Sequence, residues 1–162
     1  MKVSKIDVAR QTNFILALLL IHFVFFGFLA NALPKSASTA ENLELGLNIV
    51  FLYRVLFHPE YFLSLVLLVL IVFFMAYREK FFEYGIRNSI WLVPAIIIQS
   101  WIWYWFIIES FDITIIGAYF LRIESYFTIL ILLAINIFAA ILASVAREKI
   151  NLLIQRVKSV EV

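Results

Sequence analysis

Three residues in this 162-residue chain combine strong hydrogen-bonding chemistry with an apolar setting: His22, Gln99 and Asn136. An imidazole exchanges protons near neutrality, and a primary amide offers both donors and an acceptor. His22 stands twelve residues after Arg10, Gln99 twelve after Arg87, and Asn136 eleven before Arg147. At ~1.5 Å rise per helical residue, each falls roughly 16–18 Å from its basic neighbour. That depth is close to the middle of a ~30 Å hydrocarbon layer. The expectation is one midplane polar cluster. It either binds a small polar solute, a proton or a cofactor headgroup, or joins helices through hydrogen bonds at roughly 0.6–2 kcal/mol each. Pro94, in the same apolar run as Gln99, removes an amide donor and predicts a kink near Ile90.

Other chemistry is sparse. Cysteine is absent, so disulfides and thiolate chemistry are excluded. His22 and His58 are the two histidines and lie at different depths, which argues against bis-His haem ligation, and no HxxxH or HExxH spacing occurs. Four glycines form no phosphate loop. Glu109, Asp112 and Glu124 read as a solvated rim rather than paired carboxylates, and no carboxylate stands deep in an apolar run. No metal site, catalytic residue or cofactor is implied, and nothing in the charge pattern points to nucleic acid.

Elements of an unusual kind must position these residues. The chain is 65% hydrophobic and 15% charged, with a mean hydropathy of +1.02. Soluble domains average about 45–50% apolar and about 25% charged residues, so the expected solvent is lipid. Four apolar runs fit membrane helices: Asn13–Leu33, Tyr61–Tyr77, Ser89–Ile108 and Tyr126–Ala146. Stretches such as LSLVLLVLIVFF lack the alternation of a barrel strand. Ten Lys and Arg fall on one side of this topology and three on the other, whereas acidic residues split five to six. The positive-inside rule then places both termini in the cytoplasm. The first run, followed by Ala30-Asn31-Ala32, resembles a leader peptide. It exceeds the usual 7–15 apolar residues and is expected to be retained as a span.

The chain also repeats. Ala9–Phe23 aligned with Ile86–Ser100 matches Arg10 to Arg87, Gln11 to Asn88, Thr12 to Ser89 and His22 to Gln99. Tyr61-Phe62 leads to Arg78-Glu79-Lys80 as Tyr126-Phe127 leads to Arg147-Glu148-Lys149. The expected fold is a single all-α transmembrane domain over residues 1–162. It comprises two tandem parallel hairpins (9–80 and 86–149) packed as a four-helix bundle.

Flanking segments complete the picture. Ser38 and Glu41 match a capping box opening a four-turn amphipathic helix on the outer surface, with Leu43, Leu47, Val50 and Phe51 on its apolar face. The loop FDITIIGAYFLRIES is expected to pack on the same side. Trp101, Trp103 and Trp105 crowd one end of the third span and Trp91 marks the other, as interfacial anchors do. The tail 147–162 sets Ile150, Leu153, Ile154 and Val157 opposite basic residues, suiting either anionic headgroups or a partner subunit.

These features favour a non-catalytic subunit or scaffold of a larger membrane complex, partnered by the bilayer and by other subunits or further copies of itself. A small transporter or channel-like protein with a midplane polar site is the alternative. A lipid-, quinone- or cofactor-binding membrane protein is the third reading.

Overall fold

The computed structural model describes residues 8–33, 39–79 and 81–160, excepting the side chains of 8–10, 39–41 and 158–160. Every element among the described residues is helical. The order is α1 (Val8–Leu20), a π-helical turn (Ile21–Phe25), α2 (Phe26–Ala32), α3 (Thr39–Val50), α4 (Tyr53–Leu56), a 3-10 turn (Pro59–Tyr61), α5 (Phe62–Tyr77), α6 (Phe82–Ile108), α7 (Thr114–Leu121) and α8 (Ile123–Val160). Four helical stretches are long and apolar enough to cross a membrane: Gln11–Ala32, Pro59–Tyr77, Phe82–Ile108 and Ile123–Val157. They coincide with the four expected runs, because such runs satisfy their backbone groups only within the segment.

Helix α8 packs extensively on both α5 and α6, whereas α1 makes smaller contacts with α5 and α6. Small residues let the helices approach: Ala76 of α5 meets Ala140 and Ala143 of α8, and Gly85 of α6 lies against Ala76. Helix α6 runs unbroken through Pro94.

The segments that follow the first and third long helices form a packed cap. Helix α3 lies along α6 and buries Leu45, Gly46, Ile49 and Val50; of the expected apolar face, Val50 and Phe51 are buried, Leu47 is half-buried and Leu43 is exposed. A Cβ on Gly46 would stand 2.8 Å from the ring of Tyr104. Glycine thus lets α3 settle on α6. Ser38 and the side chain of Glu41, the expected capping box, lie outside the described residues. The third loop supplies α7, whose Tyr119 stacks on Phe51 at 5.8 Å and is fully buried. Glu124 joins the cap by an ion pair with Arg54, and Tyr53 donates to it at 3.4 Å. Arg54 and Arg122 each lie 5.5 Å from the Phe51 ring centre. Hydrogen bonds with Tyr53 and Glu124 hold Arg54 above its ordinary pKa.

Candidate functional site

The three polar residues make separate contacts. Gln99 donates its side-chain N–H to the carbonyl of Leu18 at 3.2 Å, joining α6 to α1. Asn136 donates to the carbonyl of Ser89 at 3.1 Å, joining α8 to α6. His22 is half-buried, with its ring 4.9 Å from Phe23 and 5.5 Å from Trp103. No hydrogen bond links any two of the three. Ser89 and Gln99 are ten residues apart on α6, about 15 Å along the axis. Asn136 therefore meets α6 far from Gln99, and the expected three-helix contact does not form. The basic residues do not give a common datum of depth, because the three candidate spans that carry the polar residues are 22, 27 and 35 residues long.

His22 and Gln99 are nearer neighbours than either is to Asn136. Their sequence match implies a shift of 77 residues, yet Leu18 meets Gln99 and His22 meets Trp103, a shift of 81. Spatial pairing is thus displaced from the sequence repeat by about one helical turn. His22 lies within the π-helical turn, where the cap N–H of Phe26 bonds the carbonyl of Ile21. Such turns recur at functional sites. Beside it, the Oε1 of Gln99 and the indole Nε1 of Trp103 are buried without partners among the described residues.

The serine and threonine hydroxyls along the helices are engaged, whereas that of Tyr119 is buried without a partner among the described residues. Ser64, Ser89, Ser100, Thr128 and Ser144 each donate to a carbonyl three or four residues earlier in the chain. None is poised against a base as a nucleophile requires. Among the described residues no three His, Cys, Asp or Glu side chains gather as a metal site would need. Glu109 is exposed at the end of α6, Asp112 accepts from Thr114, and Glu124 pairs with Arg54. The two hydrogen bonds from Thr114 hold the Asp112 carboxyl below its ordinary pKa.

Three of the four tryptophans pack inward. Trp101 meets Tyr119 edge-on at 5.6 Å, Trp103 stacks on Phe26 at 6.3 Å, and Trp105 donates to the carbonyl of Asp112 at 2.8 Å. Trp91 alone among them is 64% exposed.

Two features lay beyond sequence reasoning. Glu79, in the turn between α5 and α6, is 4% exposed and accepts from Asn88 at 3.2 Å. It borders a cavity of about 580 Å³ against Ser144, Arg147 and Glu148 of α8. The second is α8 itself, a single 38-residue helix carrying the last candidate span directly into the basic tail. Leu132, Asn136, Ala139 and Ala143 are fully buried along one seam of it. Alternating steps of three and four residues continue that seam through Ala146 to Ile150, Leu153 and Val157. The last three are 41%, 60% and 59% exposed. A polarity plot finds the amphipathic face, but not its continuity with the packed seam. Comparison with family models, characterised proteins and solved structures found no match for this chain.

Proposed function

We propose that this chain is an integral membrane protein with both termini cytoplasmic, acting as a non-catalytic subunit that docks a partner through the end of α8. The excess of Lys and Arg on one side of the four apolar helices supports the topology. The observation that carries the docking role is the uncovered continuation of the α8 seam.

At ~1.5 Å per residue α8 is about 57 Å long, nearly twice a ~30 Å hydrocarbon layer. No Gly or Pro interrupts Ile123–Val160. A helix leaving its span without a break keeps the span's direction, so resting flat on headgroups would require a bend at a position with no breaker. A projecting helix with apolar residues at heptad spacing suits a partner helix better. Arg147, Lys149, Ile154 and Arg156 occupy the positions flanking the seam. Three of those four flanking residues are cations and none is acidic, so the flanks offer positive charge to a partner. The preferred partner is therefore a different helix, apolar along one stripe and acidic at its edges.

The test is purification of the full chain from its native membrane in mild detergent, beside a chain ending at Lys149. A complex of fixed stoichiometry that the shortened chain cannot form supports the role. A full chain running alone, or an unchanged complex, contradicts it.

The π-helical turn at His22, with unpartnered polar atoms on Gln99 and Trp103, favours a second reading as a small-solute transporter. Loss of solute uptake into liposomes on His22→Ala would favour it over the subunit role.

A further inference from the structure

We infer that the groove between α1 and α5 is a binding site for one acyl chain of an anionic phospholipid, with Arg78 holding the phosphate. The groove occupies about 210 Å³ and is lined by Asn13, Leu16, Ala17 and Leu20 of α1 and by Ile71, Phe74, Met75 and Arg78. Ala17, Ile71 and Met75 form a buried floor, while Leu16 and Phe74 stand as exposed walls. Small Ala17 leaves the gap that a larger side chain would fill.

The two ends of the groove differ. Leu20 and Ile71 close one end with apolar surface, and Asn13 and Arg78 bring an amide and a guanidinium to the other. Arg78 is exposed and forms no ion pair with a described carboxylate. An apolar slot ending in a guanidinium that pairs with no described carboxylate matches a ligand with a hydrocarbon chain beneath an anionic oxygen cluster. The planar five-donor fork of Arg suits phosphate oxygens. A zwitterionic headgroup would bring its own cation toward Arg78, which favours a net-anionic lipid. Basic pockets between membrane helices at the cytoplasmic side follow the same logic.

This inference rests on the membrane reading above, and the experiment separates the two. The delipidated chain in detergent is titrated with phosphatidylglycerol or phosphatidylcholine of identical acyl chains, and adducts are counted by native mass spectrometry. One phosphatidylglycerol per chain should be retained about fivefold more than phosphatidylcholine, equivalent to about 1 kcal/mol at ~1.4 kcal/mol per tenfold. Arg78→Gln, at an exposed position, should erase that preference while leaving chain binding. Ala17→Leu should reduce retention of both lipids. Millimolar inorganic phosphate should not displace the lipid, because it lacks the chain; full displacement would mark a bare anion site and overturn the inference. Equal retention of the two lipids by the unaltered chain would also overturn it, with the membrane reading intact. Failure to bind either lipid, together with release from membranes by alkaline carbonate, would overturn both.

Discussion

Asn136 uses half of its amide. Its N–H bonds the carbonyl of Ser89, while its Oδ1 is buried without a partner among the described residues. Losing the bond costs about 0.6–2 kcal/mol, and removing an unpaired buried acceptor returns a similar amount. Asn136→Leu should therefore shift thermal stability in detergent by under about 1 kcal/mol, whereas Asn136→Asp, burying a charge, should cost several times that. Gly46 and Gly27 make a contrasting pair. Gly46→Ala would press a methyl into the Tyr104 ring, so overpacking of about 1–3 kcal/mol should outweigh a helix-propensity gain of about 1 kcal/mol. Gly27→Ala meets nothing within 4 Å and should stabilise by up to about 1 kcal/mol. Tyr119 gives a pH signature, since burial pushes its hydroxyl up to about 12. The folded state then holds the proton at pH values where the unfolded state has lost it. Stability from this group is complete below about pH 10 and falls as pH rises toward 12, by about 2–3 kcal/mol at ~1.36 kcal/mol per pH unit. Tyr119→Phe should abolish that alkaline decline in a pH series of melting curves.

At the scale of elements, the four long helices were legible because uninterrupted apolar runs leave the backbone one way to satisfy itself. Their mutual register was not. Gln99 and His22 align in sequence, yet Gln99 packs beside Leu18 and His22 beside Trp103, a register set by tertiary contact that the aligned residues do not encode. The π-helical turn has no sequence signal: Ile21–Phe25 reads as ordinary helix. Nor did the sequence announce burial of Glu79, which follows from how the α5–α6 turn folds beneath α8. Three of the tryptophans expected as interfacial anchors also make packing contacts, with α2, α7 and the α6–α7 loop, and those coverings are tertiary. The tail belongs to this scale too. Residues 151–157 are exposed on every side, so a chain ending at Lys149 should melt within about 0.5 kcal/mol of the full chain, as surface changes usually do. A large loss would show that the tail supports the fold rather than a partner.

For the whole molecule, the arrangement is a helical body with its polar groups largely turned inward on its own backbone, and one helix extending beyond it. Among the described residues the body's polar contacts are dispersed: Gln99 to α1, Asn136 to α6, and the serine hydroxyls to carbonyls one turn earlier. The extension offers a heptad stripe with basic flanks and no cover. A subunit role accounts for both. Placing a photo-crosslinking residue at Leu153, on the stripe, and separately at Gln155, on the opposite face, tests it most directly. The account predicts one discrete crosslinked partner from Leu153 in native membranes and little or none from Gln155. Equal crosslinking from the two positions, or crosslinks from Leu153 to lipid alone, would contradict it.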